Sequence, residues 1–438
     1  MIELNWLRSD KGNIASALKK RGLKKIDNEL SQIITLDDER KNLKSELDTI
    51  LGESNLIAKE IGVKIKSGEK DSVESLKKRS GELKEKSKSI SEELKKTELI
   101  IRDMLCSIPN VPDNIVPKGN TDEDNLLISS NEINISNDIK HKPHWELIKD
   151  FNLIDFDTGN KITGAGFPVY INEGAKLQRA LINYFLDEAN ANGYSEIQPP
   201  ILINDESGFG TGQLPDKEGQ MYKIEEENLY LIPTAEVPIT NIYRKKILDK
   251  DSLPIKNVAY TPCFRKEAGS WGSHVRGLNR LHQFDKVEIV QIENEDNSEK
   301  ALQEMCNYVE SLIKSLDISH RKLLLCAGDL GFASSITYDF EVYAPGQKRW
   351  LECSSVSNFK TYQANRMNLK IRDGKSKVLA NTLNGSALAL PRIVAAILET
   401  HQNGNEINIP KALHKSVSYT HLRAHETDSY LVCRLLLE

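Results

Sequence analysis

The stretch TPCFRKE, residues 261–267, and the stretch HQFDKVE, residues 282–288, decide the fold of the larger part of this chain. Both have the residues of β-strands, and the glycine-containing loop between them has the length of a hairpin connection. On a strand, Arg265 and Glu267 would point to the same face, and Phe284 and Glu288 would follow on the second strand. Such a hairpin can hold a nucleotide and a small polar substrate side by side.

Length and composition limit the class of protein. At roughly 150 residues per domain, the 438 residues predict two or three domains, and a hydrophobic content of 39% predicts a large core. The sequence has no apolar run long enough to cross a bilayer and no signal-peptide pattern, so we expect a cytoplasmic protein without a membrane partner. Its six cysteines form no C-x-x-C pair, so we expect reduced thiols and no zinc.

A heptad pattern predicts an antiparallel helical hairpin in the N-terminal part. Positions 26, 29, 33, 36, 40, 43, 47, 50, 54, 57 and 61 alternate steps of three and four, and eight of these eleven are Ile or Leu, which is a heptad seam. After a turn at KSGE, residues 66–69, the pattern repeats over residues 73–104, where seven of ten seam positions are apolar. Helices of about 35 residues would make an arm roughly 50 Å long, which is too long to be buried. We therefore expect an arm that projects into solvent.

The turn end of this arm is locally basic. Between Gly62 and Glu98, eleven Lys and Arg stand against eight Asp and Glu, although the whole chain has a net charge of -5. Nearest the turn are Lys64, Lys66, Lys70, Lys77, Lys78 and Arg79. These residues fit either the solvated faces of a coiled coil or a surface that binds RNA phosphates.

The remainder is predicted to be an α+β domain. We interpret residues 1–110 as the N-terminal domain, the Pro- and Asn-rich residues 111–140 as a linker, and residues 141–415 as a domain on a mostly antiparallel sheet. The predicted strands are 230–233, 258–264, 286–292 and 350–355, and the predicted helices include 175–192 and 297–316. The sequence lacks the glycine-rich signatures of Rossmann and P-loop nucleotide sites.

Three segments resemble the motifs of class II aminoacyl-tRNA synthetases. They are GYSEIQPPIL at 193–202, FRKE at 264–267 with the strand that carries Phe284, and NGSALALPR at 384–392. Further segments resemble seryl-tRNA synthetases of the bacterial type: KPHWEL at 142–147, KITGAGF at 161–167, GTGQLP at 210–215, TAEVP at 234–238 and APGQ at 344–347. The resemblance covers residues 1–415, and it implies an antiparallel catalytic sheet flanked by helices and preceded by a coiled-coil arm.

The resemblance implies that the site activates a carboxylate with ATP. Arg265 would stabilise charge on the α-phosphate, Glu267 would contact the adenine, and Arg392 would close the opposite face. Phe284 would stack on the base, and Arg280 would meet the leaving phosphates. We expect Arg265, Glu267 and Arg392 to be the catalytic residues.

The same resemblance implies a magnesium ion that binds with the ATP. Glu352 and Ser355 would supply its ligands, because Mg²⁺ prefers oxygen. The complete set implied for ATP is Arg265, Lys266, Glu267, Arg280, Phe284, Glu352, Cys353, Ser354, Ser355 and Arg392.

Serine recognition requires a small polar pocket. A site whose polar groups are left unpaired by alanine rejects alanine strongly. By resemblance, the residues that line this pocket are Thr234, Ala235, Glu236, Glu288 and Ser386. The two carboxylates would be available to the ammonium and hydroxyl of serine, whereas His282 is interpreted as structural.

The resemblance also supplies a partner for the arm. In that family the helical hairpin binds the long variable arm of tRNA(Ser), largely through the RNA backbone. The subunits form a homodimer in which the arm of one reaches tRNA at the other. We expect tRNA(Ser), and also tRNA(Sec), as acceptors.

The last segment, residues 416–438, does not fit the family. Residues 417–427, VSYTHLRAHET, resemble the in-frame translation of a sequencing-library transposon adapter. We therefore predict that this tail is non-native, and we do not interpret His421, His425 and Cys433 as a metal site.

Two other functions fit parts of the sequence. One is a synthetase-like ligase that loads an amino acid onto a carrier protein, against which the long arm argues. The other is a coiled-coil RNA-binding or scaffolding protein without catalysis. The presence of the whole set Arg265, Glu267, Glu288, Glu352 and Arg392 argues against it.

Overall fold

The computed structural model describes residues 1–67, 70–133, 140–217, 219–267, 275–417 and 420–423, without the side chains of 70–72 and 423. The chain forms two compact units, Met1–Val111 and Pro112–Glu438. Within the described ranges, no helix combines the length and hydrophobicity needed to span a bilayer.

The first unit is helical. Its helices are α1 Leu4–Ser9, α2 Lys11–Lys20, α3 Ile26–Ser67 and α4 Lys70–Ser107. Heptad residues of α3 and α4 form one apolar core, which includes Ile50, Ile57, Leu83 and Ile90. Arg79 lies 2.8 Å from Glu53, and Lys86 lies 2.8 Å from Glu46, so the two helices are antiparallel. The predicted helical hairpin is confirmed, although residues 68–69 of its predicted turn lie outside the described residues.

The predicted heptad seam is wrong at the start of α3. Glu29 is exposed there, whereas Leu30 and Asp37 are buried. Arg8 of α1 lies 3.0 Å from the Asp37 carboxylate, and Arg40 lies 2.7 Å from it. The seam shifts because this part of α3 also packs against the first two helices.

The second unit combines helices and strands. Its helices are α5 His144–Asp150, α6 Phe156–Ile162, α7 Asn172–Ala191, α8 Asp205–Thr211, α9 Glu236–Asn241, α10 Glu295–Ser315, α11 Tyr362–Met367, α12 Leu390–Thr400 and α13 His414–Val417. Its strands are β1 Leu126–Asn131, β2 Ile154–Asp155, β3 Val169–Tyr170, β4 Ser195–Glu196, β5 Leu202–Asn204, β6 Lys223–Ile224, β7 Leu229–Leu231, β8 Ile247–Asp249, β9 Ile255–Phe264, β10 Gln283–Glu293, β11 His320–Leu324, β12 Ile336–Ala344, β13 Arg349–Lys360, β14 Lys370–Asp373, β15 Ser376–Leu379, β16 Asn381–Ala389, β17 Gln402–Asn403, β18 Glu406–Asn408 and β19 His421–Arg423. The predicted strands and helices are present with shifted ends.

One eight-stranded sheet organises this unit. Its order is β1-β11-β12-β13-β16-β10-β9-β4, and every pair is antiparallel except β4 with β9. Buried residues of α7, α10 and α12 share a single core with the sheet. The predicted α+β class with a mostly antiparallel sheet is confirmed, and the central strands β9, β10, β13 and β16 carry the candidate site.

The predicted linker contributes a strand to this sheet. Residues 126–131 form β1, which pairs with β11 at the edge, and all six residues are exposed. A strand exposed on both faces has no alternation of apolar and polar residues, so periodicity could not reveal it.

Part of the suspected tail also lies on a sheet. His421–Arg423 forms β19 beside β18, and the side chains of Val417 and Leu422 are buried. Residues 418–419 and 424–438, which include His425 and Cys433, lie outside the described residues.

Candidate active site

The hairpin of β9 and β10 positions the residues that we expect to bind the nucleotide. The expectation that Arg265 and Glu267 point the same way from one strand is wrong, because β9 ends at Phe264. Arg265 N still donates to His282 O at 2.9 Å, but Glu267 has a φ of 47° and turns the chain away. The two side chains therefore leave a turn rather than a pleated strand.

Four of the residues assigned to ATP nevertheless meet at this turn. The Arg265 guanidinium lies 5.2 Å from the centre of the Phe284 ring and donates from Nε to Pro233 O at 3.3 Å. Arg280 Nη1 lies 3.0 Å from Glu267 Oε2. An aromatic ring beside fixed guanidinium groups suits a ligand that joins a planar base to phosphates.

A second group lies where β13 faces the start of α12. Arg392 Nη1 donates to Glu352 O at 2.6 Å, and Ser355 Oγ donates to Glu352 Oε1 at 3.2 Å. Although partial desolvation acts to raise it, the guanidiniums of Arg392 and Arg265 hold the pKa of Glu352 below its ordinary value. On β12, burial and then the charge of Glu352 raise the pKa of Asp339 well above the usual range.

The predicted serine pocket is a buried, polar cluster. Thr234 Oγ1 donates to Glu288 Oε2 at 2.9 Å, and Asn384 Nδ2 donates to Glu288 Oε1 at 3.0 Å. Lys286, two residues before Glu288 on β10, forms an ion pair with Glu288 and donates to Thr234 Oγ1 at 2.9 Å. The side chains of Lys286 and Glu288 are only 7% and 1% exposed.

Glu236 supplies a second carboxylate to this pocket. Gln363 Nε2 donates to Glu236 Oε1 at 2.6 Å. Burial, together with the charge of Glu288, raises the pKa of Glu236 to about 7. Two carboxylates therefore share one ammonium group, that of Lys286, and the pocket favours one further cation.

Both clusters open into one cavity of about 1040 Å³. Its wall includes Arg265, Phe284, Glu352 and Arg392 as well as Thr234, Glu236, Glu288 and Ser386. Most of the residues assigned to ATP and to serine are therefore brought together.

Four further assigned residues have structural contacts, and of these Cys353 and Ser354 border the cavity whereas Ala235 and Lys266 do not. Ala235 is buried among Ile239, Ala259 and Val290, in an apolar cluster. The ammonium of Lys266 lies 5.9 Å from the centre of the Tyr222 ring. The hydroxyl of Ser354 donates to Ser386 O at 2.6 Å, and the thiol of Cys353 donates to Phe340 O at 3.4 Å.

Sequence reasoning missed Lys286, Asn384, Gln363 and Asp339. Strand parity could have found Lys286, since it lies between Phe284 and Glu288 on the same face of β10. Asn384 begins a quoted motif, but nothing local marks Gln363, which α11 carries into the pocket.

The basic residues of the arm lie on the first unit. Lys66, Lys77 and Lys78 are exposed, whereas Lys64 lies 3.0 Å from Glu60. Arg79 binds both Glu53 and Glu82, at 2.8 and 3.5 Å, so it also joins α3 to α4. The side chain of Lys70 lies outside the described residues.

The antiparallel sheet and the polar cavity on its central strands define the catalytic domain of a class II aminoacyl-tRNA synthetase. Residues 222–401 match the family model described as the tRNA synthetase class II core domain (G, H, P, S and T). Residues 1–112 match the model described as the seryl-tRNA synthetase N-terminal domain.

Full-length relatives narrow this class. The chain is 42% identical to the serine–tRNA ligase of Salinibacter ruber, over 97% of this chain and 100% of the relative. It is 43% identical to that of Nautilia profundicola, over 95% and 100%. The solved seryl-tRNA synthetase of Pyrococcus horikoshii, complexed with ATP, superimposes with a TM-score of 0.89 at 32% identity, over 97% of this chain and 100% of that one. The chain belongs to the seryl-tRNA synthetase family, the serine–tRNA ligases.

Proposed function

We propose that the cavity binds ATP and L-serine together and joins them as seryl-adenylate, before the seryl group passes to tRNA. The observation that carries this proposal is that the Arg265–Phe284 pair and the Glu236–Glu288 pocket border one cavity. The solved relative from Pyrococcus horikoshii is complexed with ATP, and one from Naegleria fowleri is in complex with AMP.

In the first step, a carboxylate oxygen of serine attacks the α-phosphorus of ATP. The bond from that phosphorus to the bridging oxygen breaks, and pyrophosphate leaves with the electron pair. Arg265 stabilises the charge that develops on the α-phosphate, and Arg280 and Arg392 bind the departing phosphates. In the second step, a ribose hydroxyl of the tRNA attacks the seryl carbonyl carbon and loses its proton. The bond from that carbon to the phosphate oxygen breaks, and AMP leaves with the electron pair.

Serine would be held by the shared charge of its pocket. Its ammonium would add a second positive charge beside Glu236 and Glu288, and its hydroxyl would form hydrogen bonds with polar groups such as Thr234. Alanine would leave those groups unpaired, which rejects it by roughly 10⁴-fold.

The residues present also fit a magnesium ion that arrives with ATP. Glu352 and Ser355 provide oxygen ligands, and Asp339 Oδ1 is buried without a hydrogen-bond partner among the described residues. Bound there, Mg²⁺ would neutralise phosphate charge. The described residues contain no cluster of three or more His, Cys, Asp and Glu side chains that could hold a metal ion. The phosphates of ATP would therefore complete the coordination of the magnesium ion.

The remaining assignments extend this function to the whole chain. The basic residues near the arm's turn would bind the backbone of tRNA(Ser), and of tRNA(Sec), in a cytoplasmic homodimer. Ile201 and Leu202, in the segment that resembles the first motif, are 37% and 38% exposed, which suits burial against a second copy. We retain residues 1–110, 111–140 and 141–415 as functional divisions, and residues 416–438 as a non-native tail.

Pyrophosphate exchange into ATP and charging of total tRNA test the two steps separately. We expect serine-dependent exchange, with alanine and threonine inactive, and magnesium-dependent charging of serine acceptors. Glu288→Gln should raise the KM for serine by at least about tenfold, because a buried carboxylate loses its charge. The matched change Glu293→Gln, on the same strand but outside the cavity wall, should leave that KM unaltered. Exchange that does not depend on serine would refute the proposal.

A further inference from the structure

We propose that His144, Gln347 and Glu399, hereafter the triad, position Arg392 and Arg280 for ATP. The three residues belong to α5, to the turn after β12 and to α12. None of the three is among the described residues that line the cavity. The inference rests on the proposed ATP site and concerns residues that do not touch the substrate.

The triad is built around a carboxylate that is completely buried. Glu399 is 0% exposed and accepts four hydrogen bonds. His144 donates from N at 2.9 Å and from Nδ1 at 2.8 Å, and Gln347 donates from N at 3.1 Å and from Nε2 at 2.7 Å. A buried carboxylate is tolerated only when its lone pairs are satisfied, so Glu399 fixes both partners in place.

One backbone amide sets the tautomer of His144. Leu278 N donates to His144 Nε2 at 2.9 Å. An acceptor at Nε2 requires the proton of a neutral imidazole to lie on Nδ1, from which it is donated to Glu399. The ring therefore links α12 to the turn at residues 277–279.

That turn approaches the imidazole more closely than a side chain allows. Gly277 has a φ of 66°, and a Cβ built on it would lie 2.3 Å from His144 Nε2. On the other side, a Cβ on Gly346 would lie 2.3 Å from Lys142 O. The segments KPHWEL and APGQ, which the sequence analysis identified only by family resemblance, thus pack closely against each other beside the triad.

The same turn contacts Arg392. Asn279 Nδ2 donates to Gln347 Oε1 at 2.8 Å, and Asn279 O accepts from Arg392 Nε at 3.3 Å. The next residue, Arg280, binds Glu267. Arg392 and Glu399 are seven residues apart on α12, which is two helical turns. The triad therefore connects the turn at residues 277–279 to the C-terminal end of α12. The same turn orients the Arg392 guanidinium at the N-terminal end of that helix.

The test uses the full-length chain and compares Gln347→Met and His144→Phe with His320→Phe. His320 is 2% exposed and bonds to Ile318 O at 3.1 Å, so it controls for the loss of a buried histidine. In pyrophosphate exchange, we expect both triad variants to raise the KM for ATP about five- to tenfold, the effect of one lost hydrogen bond or somewhat more. The KM for serine should change by less than about twofold, and His320→Phe should alter neither KM.

A double-variant cycle separates positioning from general damage. If Gln347 acts through Arg392, then Gln347→Met should add little to the KM for ATP in an Arg392→Lys background. Gln347 is only partly buried, so its variant provides the test even if His144→Phe does not fold. An unchanged KM for ATP in Gln347→Met, or fold-changes that multiply in the double variant, would overturn the inference. Failure of the unmodified chain to exchange pyrophosphate would instead overturn the proposed function.

Discussion

Replacing Lys286 with methionine would leave two buried carboxylates without the ammonium that they share. The Lys286 side chain is 7% exposed and bonds to both Glu288 and Thr234. Removing one partner of a buried ion pair costs about 3–5 kcal/mol, mostly because the remaining charge is uncompensated. We expect Lys286→Met to lower the free energy of unfolding of the second unit by that amount at pH 7.

The double variant Lys286→Met/Glu288→Gln provides the control. It removes both charges, so the loss should shrink to about 1–2 kcal/mol, the value of the missing hydrogen bonds. Urea unfolding followed by fluorescence gives these differences, provided that the slope with urea is unchanged. A single variant as stable as the unmodified chain, or a double variant less stable than the single one, would refute this reasoning.

Three more outcomes follow from the described contacts. Burial raises the pKa of Glu236 from 4.5 to about 7, so the folded state binds the proton more tightly than the unfolded state does. The free energy of unfolding should therefore fall as pH rises from about 4.5 to 7. Glu236→Gln should flatten this fall in thermal unfolding scans, and equal slopes in both proteins would contradict the prediction. Lys77→Glu/Lys78→Glu should weaken tRNA charging without affecting pyrophosphate exchange. The slope of log affinity for tRNA against log salt concentration should become shallower by roughly 0.7 for each lost phosphate contact. An unaltered slope would exclude these lysines as phosphate contacts. A chain that ends at Arg423 should have a Tm within about 1 °C of that of the full chain. A chain that ends at Lys415 loses β19 and the buried Val417, so its Tm should be several degrees lower. Equal Tm values for all three chains would show that β19 contributes nothing to stability.

Most of the fold was accessible from the sequence because its elements are strongly periodic. From Leu43 onward, the apolar contacts between the two long helices follow the predicted heptad positions, because each helix packs mainly against the other there. The prediction failed at Asp37, since that position packs against α1, and no local period encodes a third helix. It also failed for β1, whose exposed residues carry no alternation.

The candidate site was accessible only where a motif marks it. Arg265 and Glu288 were found in this way, but the turn at Glu267 depends on a left-handed backbone that glutamate rarely adopts. Lys286 could have been found by strand parity. Gln363 and Glu399 could not, because helices distant in the sequence carry them to the pocket and to His144.

The helix α12 has a further consequence for how the site can be lost. Of its residues, Leu390, Pro391 and Ile393–Glu399 are buried, so the helix lies inside the domain rather than on its surface. A helix buried on all sides opens only when the structure around it opens. The backbone amides of α12 should therefore exchange hydrogen for deuterium at the rate of global unfolding. Arg392 would remain seated through the fluctuations that fray loops and termini.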